Sequence, residues 1–124
     1  MPPIPAPRVQ IFGYENDQPT RAGVRFFKER RFEIHLVDLR KRPIAAGELR
    51  RFVERLGARS LADRSGKAWR DAGLEYLRMD DAELAERLLA DPHLLRLPLV
   101  RYGNSFSAGK DEAAWRAWLA AEKA

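Results

Sequence analysis

The residue best placed for chemistry is a carboxylate at the head of a helix. The stretch Val9-Gln-Ile-Phe-Gly-Tyr-Glu-Asn-Asp17-Gln-Pro-Thr-Arg21 runs into Ala22-Gly-Val-Arg-Phe-Phe-Lys28. It reads as a strand, a tight polar loop and the first turns of a helix. A loop at a helix N-terminus presents free backbone N–H groups and a positive dipole end, a natural place for an anion or a thiolate. Asp17 occupies that place here. Three roles are open to it: aspartyl-phosphate acceptor, general base or helix cap. The cap accounts for it without any chemistry, and Pro19 fits the first turn, where its missing N–H costs nothing. A further anion beside Asp17 is disfavoured unless Arg21 or Arg64 compensates.

Other chemistries are bounded by what the chain has. The 124 residues contain no cysteine, so no disulfide, thiolate nucleophile, mixed disulfide or zinc–sulfur site can form within this polypeptide. His35 and His93 are far apart with no third ligand, so no metal site is expected and no cofactor is implied. Trp69, Trp115 and Trp118 stand at positions that suit packing rather than base stacking. The densest basic feature is Arg40-Lys-Arg42 with Arg50, Arg51, Arg55 and Arg59. At four-residue spacing, Arg51, Arg55 and Arg59 are expected to share one helix face. That face suits an acidic protein surface or nucleic acid, and a protein is the expected partner of the two. The plain alternative is a solvated outer face, diluted by Glu48 and Glu54. The net charge of +5 has the same two readings.

The elements that must position these residues follow from pattern. Met1 to Pro7 is proline-rich and reads as a loose, extended leader, with neither the charged start nor the apolar centre of a signal peptide. No apolar run is long enough to span a bilayer, and the cytoplasm is the expected compartment. Residues 8–124 read as one domain. A strand at Val9–Phe12 precedes a helix from Thr20 to Arg31, with Ala22, Val24, Phe26 and Phe27 apolar and Gly23 a weak point. Phe32, Ile34 and Leu36 alternate with Glu33 and His35, giving a second strand parallel to the first. A helical block follows at about residues 44–95. Its first helix, Ile44 to Leu56, buries Leu49, Phe52, Val53 and Leu56 and stops at Gly57. A short helix anchored by Trp69 lies near Ala68 to Ala72, while Leu61 to Leu74 otherwise shows no clear pattern. Asp80-Asp-Ala-Glu83 starts another helix, with Leu84, Leu88 and Leu89 as its buried face, and His93 to Leu95 add a turn. Pro98–Tyr102 and Ser105–Ala108 form a hairpin about Gly103-Asn104. Asp111 caps a last helix to about Glu122, with Ala114, Trp115, Trp118 and Leu119 inward. The order is that of an α/β fold: a thioredoxin-like, four-stranded mixed sheet with a helical block between its halves.

In this arrangement the chain resembles the arsenate reductase (ArsC) and Spx family over most of Val9 to Leu119. Four segments carry the resemblance: the Asp17 loop, Asp63-Arg-Ser-Gly-Lys-Ala-Trp-Arg70, Asp91-Pro-His-Leu-Leu-Arg-Leu-Pro98 and Gly109-Lys-Asp-Glu112. The resemblance implies that Asp17 stands where the family has its nucleophilic Cys. Asp17-Gln-Pro-Thr20 then replaces the Cys-x-x-Cys of some members. It also implies that Leu97 replaces the Arg that helps hold the oxyanion, and that Pro98 is the family's cis proline. By inheritance from the fold, Arg21, Arg64 and Lys67 are candidates to line a residual anion site. They read equally well as solvated surface charges.

Two functional expectations follow. One is a non-redox binding or regulatory module with a protein partner. Resemblance to Spx implies RNA polymerase as that partner, met through the C-terminal domain of its α-subunit. The other is a reductase-like enzyme or small-anion binder that uses the old loop with external thiols.

Overall fold

Residues 8–123 are described by the computed structural model; the expected proline-rich leader at 1–7 lies outside them. Strand β1 (Arg8–Gly13) leads through the Asp17 loop into α1 (Gln18–Glu29), and β2 (Glu33–Asp38) returns parallel to β1. The helical block then comprises α2 (Ala46–Leu56), α3 (Ala58–Leu61), α4 (Lys67–Asp71) and α5 (Asp81–Ala90). Single 3-10 turns lie at Leu74–Tyr76 and Pro92–Leu94. Strands β3 (Leu99–Tyr102) and β4 (Ser105–Ala108) form the hairpin, and α6 (Glu112–Lys123) closes the order.

The sheet runs β2-β1-β3-β4, parallel between β1 and β2 and antiparallel elsewhere. It is the mixed thioredoxin-like sheet expected from the pattern. Alternation along β1 and β3 sends side chains to two separate cores. Val9, Ile11 and Val100 face α1 and α6, where they pack with Phe26, Phe27 and Trp115. Phe12, Val37 and Leu99 face the helical block, where Phe52, Leu61 and Leu88 are fully buried. Trp115 is wholly buried and donates its indole N–H to Ser107 Oγ at 2.9 Å, which pairs the buried polar group of β4.

Gly23, a weak point for helix propensity, is buried because the helix meets Pro98 and Trp115 there. An added Cβ would lie 3.4 Å from each. Helix α1 starts at Gln18, two residues before the expected Thr20, because Pro19 is already in the first turn. It stops at Glu29, short of the expected Arg31, whose φ of 63° is left-handed.

Several expectations need correction. The run Arg51, Arg55, Arg59 does not lie on one helix. Gly57, at φ 83°, ends α2, and Arg59 belongs to α3. That helix, Ala58–Leu61, was not expected at all, yet Ala58 and Leu61 are fully buried. Leu89 does not share the buried face of α5. It is 37% exposed, whereas Leu84 and Leu88 are buried, since one residue further on turns the side chain by about 100°. Glu48, expected to dilute the basic feature, pairs with Arg42 at 3.0 Å and also accepts from the Ala45 N–H at 3.0 Å. No helix among the described residues is long and apolar enough to cross a membrane.

The joint between β1 and α1 depends on Gly13. A Cβ there would collide with the hydroxyl of Thr20 and come within 2.7 Å of its methyl group. Gly13→Ala should therefore destabilise the protein by about 1–3 kcal/mol. Gly47→Ala, in the exposed first turn of α2 with nothing within 4 Å, should be neutral or stabilising by up to about 0.5–1 kcal/mol. Denaturant melts read both, and equal effects at the two glycines would contradict the close contact.

Candidate functional site

Strand β1 delivers the chain to the loop at Gly13, whose carbonyl accepts from the Leu39 N–H at 2.9 Å and so ties the loop to the end of β2. The Asp17 N–H donates to Tyr14 O at 3.0 Å, which makes the loop a tight turn. Asp17 is the N-cap of α1: its Oδ2 accepts from the Thr20 N–H at 3.1 Å and from Thr20 Oγ1 at 2.7 Å. Its carbonyl accepts from the Arg21 N–H at 3.0 Å. Pro19 has no N–H. The donors of the first turn are thus largely spent inside the chain. Thr20 is completely buried against Gly13, so the carboxylate is held by a hydroxyl that cannot swing away.

The carboxylate stands at the edge of a hollow of about 370 Å³. Across from it runs Leu94–Pro98, laced to the helical block by Asp63 N–H to Leu94 O at 2.9 Å and Arg96 N–H to Leu61 O at 2.7 Å. The Leu97–Pro98 peptide bond is cis, as the resemblance implied. Gly109 donates to both Arg96 O and Pro98 O, and at φ 76° its open face lets the Arg96 side chain lie over it. A Cβ would sit 2.7 Å from Arg96 Nε. Asp17, Asp63, His93, Arg96 and Lys110 therefore bring charges of both signs to one hollow. His93 is fixed by Asp91, which accepts from its N–H at 3.0 Å, and its ring lies against Tyr14, with centroids 5.4 Å apart. Burial, with the Asp91 carboxylate next in weight, raises the Tyr14 phenol above its ordinary value of 10.0. Arg40, whose guanidinium carbon is 5.6 Å from the ring centroid, pulls the other way.

The anion-site candidates are not gathered round this hollow. Arg21 lines a different depression with Glu15, Arg25 and Lys28 on the outer side of α1. Arg64 lies with Arg59 and Arg96 beside Ser60 and Ser65. Lys67 is bonded to Asp71 at 2.6 Å on the surface of α4. Leu97, where the resemblance implies a missing guanidinium, does line the hollow. Sequence reasoning missed the neighbouring Arg96, along with Lys110 and Tyr14. A signal for Arg96 existed in Arg96-Leu-Pro98, a basic residue entering the segment that faces the loop. Among the partner-face candidates, Arg55 sits with its guanidinium carbon 5.7 Å from the Phe106 ring centroid, and Arg59 pairs loosely with Asp81 at 3.8 Å. Trp69 and Trp115 are buried and Trp118 is half-buried, so all three serve packing. Among the described residues no group of three or more His, Asp or Glu side chains could hold a metal ion.

Two measurements check this geometry. Asp17→Ala should cost about 0.5–2 kcal/mol in a denaturant melt and Asp17→Asn less, since an amide oxygen can still accept from Thr20. A neutral alanine variant would mean that the carboxylate is not there for the helix. The phenol of Tyr14 gives the second. With its folded value raised, the unfolded chain loses the proton first, so the contribution is intact below 10.0 and declines as pH rises through the folded value. The stability difference between wild type and Tyr14→Phe should be constant up to about pH 9 and shift against the wild type as pH rises beyond that, and a flat difference throughout would contradict burial of the phenol.

Comparison with known proteins agrees with this architecture. No curated protein sequence matches. Among solved structures, a protein titled YffB superposes with a TM-score of 0.80 at 20% identity, covering 88% of this chain and 96% of its own. The arsenate reductase from Vibrio cholerae gives 0.78 at 16% identity, covering 90% and 98%. An arsenate reductase related protein from Brucella melitensis gives 0.65 at 22% identity, covering 96% and 98%. These likenesses establish the fold. The model of the ArsC family matches residues 14–118, from Tyr14 in the loop to Trp118 in the last helix. The chain belongs to the ArsC family.

Proposed function

We propose that this chain is a non-redox member of the ArsC family that works by binding a protein partner. The observation that carries the reading is the Asp17 carboxylate, bonded twice to Thr20 at the head of α1 in a chain without cysteine. Thiol chemistry needs a thiolate that can leave and re-form bonds, and a carboxylate capping a helix does neither. The mixed charge of the hollow weighs against an oxyanion site, since Asp17 and Asp63 repel what Arg96 and Lys110 attract. Family membership supports the cytoplasm as the compartment. Resemblance to Spx supports a regulatory role. It makes RNA polymerase the first partner to test, through the C-terminal domain of its α-subunit.

Arsenate turnover with glutathione and glutaredoxin, or with thioredoxin, should not exceed that of a control without the protein. Asp17→Cys alone should restore little, because Leu97 supplies no guanidinium. Asp17→Cys with Leu97→Arg should do more. Clear turnover by the wild type would overturn the non-redox reading, and full activity of the single variant would remove Leu97 from the explanation.

A further inference from the structure

A hollow of about 590 Å³ lies away from Asp17. It lies where α3, α4, the Leu74–Tyr76 turn and the start of α5 meet. Its floor is apolar, made by Trp69, Leu74 and Leu84, all buried. Its rim carries Leu77 and three arginines, Arg59, Arg64 and Arg78, against the single carboxylate of Glu75. Neither Arg64 nor Arg78 has a hydrogen-bond or ion-pair partner among the described residues, and Arg59 is held only by an exposed contact with Asp81. The three most exposed large apolar residues described are Tyr76 at 84%, Leu77 at 48% and Leu89 at 37%; Leu77 lines this hollow, and Tyr76 precedes it in the chain. An apolar floor with an exposed leucine at its edge marks a place for association, and unspent guanidiniums select carboxylates.

We propose that this groove is the docking site for a partner protein segment that inserts one large apolar side chain flanked by carboxylates. The proposal deepens the binding function above and rests on it for biological meaning, though not for its test. Charge complementarity sets the class of occupant. The apolar anchor fills the floor over Trp69 and Leu74, and flanking Asp or Glu side chains meet Arg64 and Arg78. Nucleic acid fits less well, because Trp69 is sunk in the floor and presents no free face to a base. The basic face expected on one helix is thereby redistributed. Arg59, separated from Arg51 and Arg55 by the break at Gly57, joins Arg64 and Arg78 instead.

The test is selection of a phage-displayed library of random linear peptides on the purified chain, followed by titration of the selected peptides. They should share an apolar residue with acidic neighbours. Affinity should fall at least about tenfold for Arg64→Glu with Arg78→Glu, and likewise for Leu77→Asp. These positions are exposed, and an unchanged denaturant midpoint shows that the fold is intact. Selected peptides without acidic residues, or binding indifferent to these variants, would overturn the proposal, as would no selection at all. So would a single-stranded oligonucleotide that competes for the site. Concentration-dependent dimerisation lost in Leu77→Asp would assign the groove to a second copy of the chain and overturn it too. No outcome depends on turnover at Asp17, so failure here removes the groove and leaves the non-redox reading standing.

Discussion

The pair of hydrogen bonds from Thr20 to Asp17 Oδ2 is the constraint on which the site depends. It fixes where α1 begins, and with it the position of every residue that α1 sends into the sheet core. Thr20 can serve only because Gly13 has no side chain, and Gly13 can sit there only because β1 ends at the loop. Sequence, turn and helix start are thus one unit. The positive end of the α1 dipole finds its negative charge within the chain, so the place where the fold accommodates an anion is already filled.

A second joint sits opposite. Pro98 meets Gly23 of α1, Gly109 bonds the carbonyls on either side of Leu97, and Arg96 lies across Gly109. The Leu94–Pro98 segment is therefore tied to the hairpin and, through Leu61 and Asp63, to the helical block. The hollow between the two joints is shaped by backbone bonds rather than by its charged side chains. Those side chains stand at its rim with both signs represented. At the head of α1 the chain supplies its own carboxylate, and the apolar hollow lies elsewhere.

Much of this was legible in the sequence. The alternation of Phe32, Ile34 and Leu36, the cap signature at Asp17 and Pro19, and the hairpin about Gly103 are local patterns, and local physics enforces them. The helix at Ala58–Leu61 was not legible, because four residues are too few to show a period and burial of Ala58 comes from tertiary contacts. Arg59 was misplaced because spacing was counted through Gly57, whose left-handed backbone redirects the chain. The place of Arg96 at the hollow was not legible because the position immediately before the proline is Leu97, and what brings Arg96 to the hollow is the open face of the distant Gly109. The side chain that reaches the hollow with a charge is one residue earlier, over Gly109. The apolar hollow gathers residues from Arg59 to Leu84, and no motif announces a surface assembled from four short elements.

The central claim is that the head of α1 is closed to oxyanions by its own cap. Titration of arsenate into the isotopically labelled protein, followed through the backbone amide resonances of Gln18, Thr20 and Arg21, tests it most directly. The account predicts no saturable change at these amides, because the Thr20 and Arg21 N–H groups are already bonded to Asp17. Saturable shifts centred on Thr20 would contradict it, since they would mean that an anion displaces the carboxylate from the head of α1.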